Sequence, residues 1–157
     1  MRIGQGIDAH RFSDDAEREL WLGLVHVPEG PGLAGHSDAD VATHALCDAL
    51  LGAANLGDLG RHFPDDNEAY RGVTSRWLLE ATLALVRAEG FWVESADVTI
   101  VAERPKIAAY MSSMSTELSA VVGTTVSVKA TTLEGLGAIG RGEGVLASAI
   151  VLLGVDS

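Results

Sequence analysis

Cysteine, basic residues and long apolar runs are all scarce in this sequence, and each scarcity excludes a class of protein. The single cysteine, Cys47, permits no internal disulfide and fits a reducing compartment. Lys and Arg number 11 against 22 Asp and Glu, so there is no basic stripe to neutralise the phosphates of a nucleic acid. The longest apolar run, over 147–153, is too short to span a bilayer.

The N-terminus shows neither a signal-peptide pattern nor an Arg- and Ser-rich transit segment, which predicts a protein of a bacterial-type cytoplasm. The chain has 157 residues, enough to bury a core, and no linker, repeat or low-complexity tract divides it. We therefore expect one domain over 1–157. Because the formal net charge of -11 would repel an anionic substrate, binding one requires metal ions or helix N-termini at the site.

Apolar periodicity and turn residues predict an α+β domain. We expect an initial hairpin over 2–9 and 20–27, helices over 37–57, 74–89 and 105–122, and strands over 91–101, 124–131 and 145–153. This pattern fits a ferredoxin-like α/β sandwich, with a mostly antiparallel sheet and helices on one face. The apolar last strand indicates burial on both faces, and another copy of the chain is the simplest cover for the open face.

Asp8 and His10 form half of a divalent-metal site. They stand two apart near the end of the first strand, so both side chains point to one face. His44, on the polar flank of the first helix, is the candidate third ligand, and three protein ligands leave tetrahedral zinc one open position. Spacing alone favours unconnected surface histidines. Asp40, one turn before His44, shifts the interpretation towards a metal site because its carboxylate could orient that imidazole.

Glycine-dense sequence over 135–144 contains a literal G-x-G-x-x-G motif, but we reject a dinucleotide site. That site needs a strand before the motif and a helix after it, whereas more glycines and then a strand follow here. Arg141 and the exposed amides of this turn could meet an anion, and a purely structural turn fits equally well. His36 precedes the first helix and could approach its N-terminus, where an anionic group would be stabilised.

Several long motifs occur in order along nearly the whole chain. They read R-I-G-x-G-x-D-x-H-x-F, H-S-D-x-D-V-x-x-H-A-L, L-G-D-L-G, F-P-D, P-K, V-K-A-T-T-x-E-x-L-G and G-R-G-E-G. In these motifs the sequence resembles the 2-C-methyl-D-erythritol 2,4-cyclodiphosphate synthase family of the non-mevalonate isoprenoid pathway. The resemblance implies a homotrimer around a central axis, with active sites at subunit interfaces. It also implies cyclisation of 4-diphosphocytidyl-2-C-methyl-D-erythritol 2-phosphate with release of CMP.

The resemblance also assigns roles to individual residues. Asp8, His10 and His44 are the implied ligands of zinc or another divalent ion, and Glu134 is the implied ligand of magnesium or manganese. His36 and Thr132 are the implied catalytic residues. Besides Asp8, His10, His36, Thr132 and Glu134, the implied substrate contacts are Ser37, Asp58, Gly60, Phe63 and Asp65, then Ala102, Pro105, Lys106, Ile107 and Thr131 from the neighbouring subunit, and Arg141.

Three positions depart from the family pattern. Leu133 replaces a common threonine, Ala138 a common aromatic residue and Asn67 a common carboxylate, and none of them is an implied metal ligand. Two other functions remain as alternatives. One is a metal-dependent phosphate hydrolase, and the other is a non-catalytic trimer that binds an isoprenoid diphosphate in its central cavity.

Overall fold

A four-stranded mixed sheet forms the frame of the molecule. The structure, a computed structural model, describes residues 1–64 and 66–155. Its strand order is β1 (Arg2–Arg11), β6 (Gly144–Val155), β4 (Phe91–Val101) and β5 (Val126–Thr131). The β1/β6 and β6/β4 pairs are antiparallel, and the β4/β5 pair is parallel. A separate two-stranded ribbon joins β2 (Trp21–Leu22) to β3 (Val25–His26).

Three long helices cover one face of this sheet. They are α1 (Val41–Ala53), α3 (Ser75–Ala88) and α4 (Met111–Val122). Helix α1 contacts β1 and β6, α3 contacts β4, and α4 contacts β5. The short helices α2 (Leu59–His62) and α5 (Gly137–Gly140) lie in loops, as do single 3-10 turns at Glu68–Tyr70 and Ala108–Tyr110. Thr74 caps α3 by accepting the Trp77 N–H, and Gly123, with φ 88°, ends α4. The predictions for these two helix ends are confirmed.

The glycines of β1 bring α1 close to the sheet. A Cβ atom on Gly4 would lie 2.0 Å from the Ala49 carbonyl oxygen, and one on Gly6 would lie 2.0 Å from that of Ala45. Any side chain there would push the helix away. The absence of side chains at Gly4 and Gly6 therefore sets the distance between β1 and α1. Cys47 of α1 is fully buried, and burial raises the pKa of its thiol, as expected for a core residue.

The fold corrects several predicted elements. The first strand does not form a hairpin with 20–27, because it pairs with β6 along its whole length and β2 pairs only with β3. The first helix begins after Asp40, whose own side chain caps it, rather than at residue 37. The third helix begins at Met111, because a 3-10 turn occupies the residues that follow Pro105.

The expected α+β sandwich with a mostly antiparallel sheet and helices on one face is confirmed. The order of its strands and helices along the chain, however, is not ferredoxin-like. The sheet strands and long helices follow the order β-α-α-β-α-β-β, whereas a ferredoxin-like fold is β-α-β-β-α-β. The difference arises because α4 returns the chain from β4 to a parallel β5, which puts the last two strands in succession. The correct description is an α+β sandwich on a mixed sheet.

The second face of the sheet is open in the single chain. Burial along β6 alternates, so the prediction that this strand is buried on both faces is wrong for one chain. Ile3, Ile7 and Ile150 on this face expose 73%, 57% and 46% of their surface. Among the described residues, no helix is long and apolar enough to cross a membrane.

Candidate metal centre and substrate pocket

Asp8, His10 and His44 meet where β1 passes the N-terminal part of α1. One ligand atom from each residue lies within 4.8 Å of the other two, and all three residues are partly buried. Asp8 and His10 share the helix-covered face of β1, and the close approach at Gly6 brings His44 next to them. The predicted ligand set is therefore assembled within one chain. A carboxylate oxygen and two imidazole nitrogens suit zinc and several other divalent ions.

A backbone carbonyl orients His10. Its Nδ1 lies 2.6 Å from the Ala34 oxygen, and since a carbonyl can only accept, Nδ1 must carry a proton. The other nitrogen, Nε2, lies 3.2 Å from Oδ2 of Asp8 and is the one free to bind a metal.

The Asp8 carboxylate lies between the two imidazoles. Its Oδ2 is 3.2 Å from Nε2 of His10 and 3.1 Å from Nδ1 of His44. Burial would raise the pKa of Asp8, but the hydrogen bonds with His10 and His44 outweigh it and hold that pKa well below its usual range. The hydrogen bond with Asp8 likewise raises the pKa of His10, against the opposing effect of burial. Asp8 is thus an anion that attracts either protons or a metal to the cluster.

The carboxylate of Asp40 was predicted to orient His44, but the carboxylate that contacts His44 is that of Asp8. Asp40 is fully buried and accepts hydrogen bonds from the backbone of Gly23 (2.9 Å) and Leu24 (2.8 Å), and from Thr43. As the helix cap, its side chain turns back over the first turn of α1 and cannot extend along the helix to His44. Its role is structural, since it ties the turn between β2 and β3 to α1.

A pocket of about 270 Å³ opens beside the cluster. Seven of the predicted site residues line it, namely Asp8, His10, His36, Ser37, His44, Gly60 and Phe63. Asp58 caps α2 by accepting the Arg61 N–H at 2.9 Å, and it stands two residues before Gly60 of the pocket wall. Asp65 lies outside the described residues.

The rest of the pocket lining consists of residues that the sequence did not single out. They are Gly35, Asp48, Leu59, Tyr70, Arg71, Val73 and Leu78. Asp48 was detectable, because it stands one helical turn after His44 and shares its face. It accepts the Leu59 N–H at 2.9 Å, which fixes the start of α2, and burial raises the pKa of its carboxyl. Gly35 and Leu59 adjoin predicted site residues in the chain. Tyr70, Arg71, Val73 and Leu78 come from the segment around the start of α3, where the sequence predicted a helix but no site residue.

The remaining predicted residues form a second group at the C-terminal ends of the parallel strands β4 and β5. The Ala102 N–H donates to the Thr131 oxygen at 3.1 Å, which holds the two segments together. Ala102 and Ile107 are buried and Pro105 is half-buried, whereas the exposed members are Lys106, Thr131, Thr132, Glu134 and Arg141. Within the described ranges, none of this group lines the pocket, and Glu134 is not part of the Asp8 cluster.

The family model of the YgbB family matches residues 1–154 of this sequence. The chain belongs to the YgbB family. A relative of this YgbB-family chain, the 2-C-methyl-D-erythritol 2,4-cyclodiphosphate synthase of Syntrophotalea carbinolica, is 49% identical over 156 residues. That match covers 98% of this chain and 94% of the relative.

Solved structures agree with the YgbB assignment. The bifunctional IspDF of Campylobacter jejuni superposes with a TM-score of 0.93 at 36% identity, covering 99% of this chain. This chain spans only 42% of that longer protein. A 2C-methyl-D-erythritol-2,4-cyclodiphosphate synthase in a CDP-bound form superposes with a TM-score of 0.88 at 36% identity, covering 98% of this chain and 100% of the synthase.

Proposed function

We propose that this chain cyclises 4-diphosphocytidyl-2-C-methyl-D-erythritol 2-phosphate to 2-C-methyl-D-erythritol 2,4-cyclodiphosphate and releases CMP, as a phosphorus-oxygen lyase of the non-mevalonate isoprenoid pathway. The observation that carries the proposal is the Asp8, His10 and His44 cluster beside a pocket. It occurs in a chain that is 49% identical to a synthase named for this product.

The reaction is an intramolecular phosphoryl transfer. An oxygen of the 2-phosphate forms a bond to the β-phosphorus, while the bond from that phosphorus to the bridging oxygen of CMP breaks and its electron pair leaves with CMP. Little covalent chemistry falls to the protein in such a step, so the chain must position the two phosphates and offset their charge. A pocket that holds the erythritol phosphate against the diphosphate would meet the first need, and divalent ions with Lys106 and Arg141 would meet the second.

The donor set of the cluster fits a divalent ion, zinc in the first instance. Nε2 of His10, a carboxylate oxygen of Asp8 and Nδ1 of His44 would hold it, leaving one position for a phosphate oxygen. When bound, the ion supplies Lewis-acid polarisation of the β-phosphate. Glu134 would hold a second ion, magnesium or manganese. His36 and Thr132 would stabilise the charge that develops during transfer.

The two groups of site residues divide the substrate between them. The pocket residues Ser37, Gly60 and Phe63, together with Asp58 and Asp65, would hold the erythritol phosphate. The second group would hold the cytidine diphosphate through Ala102, Pro105, Lys106, Ile107 and Thr131, and Arg141 would reach a phosphate. The CDP bound by a solved relative supports a cytidine site in this fold.

A homotrimer around a central axis would bring the two groups together at each interface. Support comes from the open sheet face, where Ile3 exposes 73% and Ile7 57% of its surface, because a monomer would leave these side chains in water. The separation of the two groups within one chain also favours completion of each site by a neighbouring copy.

Product analysis tests the proposal. The chain is incubated with the substrate in 18O-labelled water with zinc and magnesium, and phosphorus NMR and mass spectrometry follow the products. We expect CMP and a cyclic diphosphate without solvent oxygen. An open-chain product carrying one solvent oxygen would identify a hydrolase and overturn the proposal. No conversion with any divalent metal, together with retained binding of an isoprenoid diphosphate, would identify a non-catalytic trimer instead.

A further inference from the structure

Ser75, the first residue of α3, connects the candidate metal ligand His44 to a carboxylate. Its side chain is fully buried, and its Oγ lies 3.0 Å from Nε2 of His44. The same hydroxyl donates a hydrogen bond to Oδ1 of Asp38. The backbone N–H of Ser75 donates to the other carboxylate oxygen of Asp38 at 2.9 Å. Asp38 therefore holds both the hydroxyl and the backbone of Ser75 in place.

Counting protons along this chain of hydrogen bonds gives the tautomer that His44 takes when a metal occupies Nδ1. An ionised carboxylate can only accept, so the one hydroxyl proton of Ser75 goes to Asp38. The Ser75 oxygen then faces Nε2 of His44 as an acceptor and favours the neutral imidazole with its proton on Nε2. In that tautomer the lone pair lies on Nδ1, which faces the cluster. Without a metal, Oδ2 of Asp8, 3.1 Å from Nδ1, competes with Ser75 for the same proton, whereas a metal on Nδ1 leaves only Ser75 as its acceptor.

We propose that Ser75 and Asp38 are positioning residues that hold His44 in the tautomer and orientation needed to bind a metal through Nδ1. This inference rests on the proposed metal site. It makes the two histidines alike in design, since each donates from its outer nitrogen and presents the inner one to the cluster. The outer acceptor is a backbone oxygen for His10 and a serine hydroxyl, itself held by a carboxylate, for His44.

One competing contact must be distinguished. The Ser37 hydroxyl lies 3.3 Å from the same Nε2 and accepts the Ala39 N–H at 3.1 Å, so it could donate to an unprotonated Nε2. That arrangement would place the proton on Nδ1 and block metal binding there. The Asp38 carboxylate opposes it, because the hydrogen bond from Ser75 leaves that serine oxygen as an acceptor beside His44.

The test compares Ser75→Ala with Thr82→Val and Ser75→Thr. Thr82→Val is the matched control, because Thr82 is a buried residue of the same helix whose hydroxyl has no hydrogen-bond partner among the described residues. Ser75→Thr restores the hydroxyl.

Zinc affinity is measured by chelator competition, and thermal unfolding of the chelator-treated proteins reports on the fold. We expect Ser75→Ala to bind zinc about 10- to 100-fold more weakly, as for other outer-shell substitutions. Thr82→Val should match the unsubstituted chain, and Ser75→Thr should recover most of the affinity.

Nitrogen-15 NMR of histidine-labelled, zinc-loaded protein gives a second readout that a merely structural role would not move. We expect the proton of His44 on Nε2, where it exchanges slowly with water in the unsubstituted chain and faster in Ser75→Ala. Asp38→Asn combined with Ser75→Ala should lose no more affinity than Ser75→Ala alone, because both act through one chain of hydrogen bonds.

Several outcomes would overturn this inference. They are unchanged zinc affinity in Ser75→Ala, an equal loss in Thr82→Val, additive losses in the double variant, or a proton on Nδ1 of His44 in the zinc-loaded unsubstituted chain. If the unsubstituted chain binds no divalent ion, the metal proposal itself fails and this inference falls with it. If that chain binds zinc and Ser75→Ala binds it equally well, only the positioning role fails.

Discussion

The Asp8 carboxylate makes the candidate metal centre sensitive to the loss of any one member. Both imidazoles lie within 3.2 Å of its Oδ2, so removing one histidine leaves a carboxylate and a single nitrogen. Two ligands do not hold zinc in the way that catalytic sites require. Because the centre lies at the edge of the helix layer and all three residues are only partly buried, the core should survive the loss of a side chain.

We therefore expect His44→Ala to lose zinc and turnover while keeping its fold. CMP release should fall by about 100-fold or more, because Lewis-acid stabilisation contributes several kcal/mol to such a transition state. The matched control is His26→Ala, since His26 is exposed and stacks on Trp21 away from the pocket. Metal analysis, circular dichroism and CMP release check the prediction. Near-normal turnover of His44→Ala without bound zinc would rule out the metal assignment.

At the same scale, the sequence predicted the ligands better than their partners. Alternation along a strand fixed Asp8 and His10 to one face, and helical periodicity put His44 on a polar flank. The partners could not be found in this way, because they depend on distant segments. The Asp40 carboxylate accepts hydrogen bonds from backbone N–H groups 16 and 17 residues earlier. His44 is instead within hydrogen-bond distance of Ser75, which lies 31 residues later.

Among the elements, the pairing of β1 with α1 is what places His44 beside the strand ligands. The helix backbone lies so close to Gly4 and Gly6 that no side chain fits between them. The sequence shows glycines at these positions but not which element packs on them. It also mispaired β1 with 20–27, because a strand's partner depends on long-range topology, and β6 lies at the other end of the chain.

Gly6→Ala should move α1 away from β1 and weaken the metal site. Its Cβ would lie 2.0 Å from the Ala45 oxygen, and relieving such overpacking typically costs about 1 to 3 kcal/mol of unfolding free energy. Zinc affinity should fall as well, because the displaced helix carries His44. Chemical denaturation and chelator competition measure the two effects.

Gly52→Ala is the control for this substitution. Gly52 lies in α1, where a Cβ would meet only the Gln5 oxygen, at 3.9 Å. Replacing it should leave metal affinity unchanged and stabilise the helix by up to about 1 kcal/mol. If Gly6→Ala were as stable and bound zinc as tightly as Gly52→Ala, the close packing of β1 and α1 would not be what sets the site.

For the whole molecule, the overall charge and the open sheet face both bear on assembly. With a net charge of -11, the protein repels a diphosphate except where cations gather, and Lys106 and Arg141 belong to the group that lies apart from the pocket. A neighbouring copy that presented this group to the pocket would bring positive charge to the substrate. The exposed isoleucines of β1 and β6 provide an apolar surface on which such a copy could pack.

Ile150→Lys should therefore dissociate the proposed trimer and abolish turnover together. The side chain lies on the open face and is 46% exposed in one chain, so a lysine costs little in a monomer but would bury a charge in an interface. Light scattering after gel filtration should give three times the mass of one chain for the unsubstituted protein and one chain for the variant. CMP release should fall in parallel, because each site would lose its second group of residues.

Glu80→Lys is the control, since it makes the charge more positive on the exposed side of α3 and should leave mass and turnover unchanged. A monomeric Ile150→Lys with full turnover would show that one chain contains the whole active site.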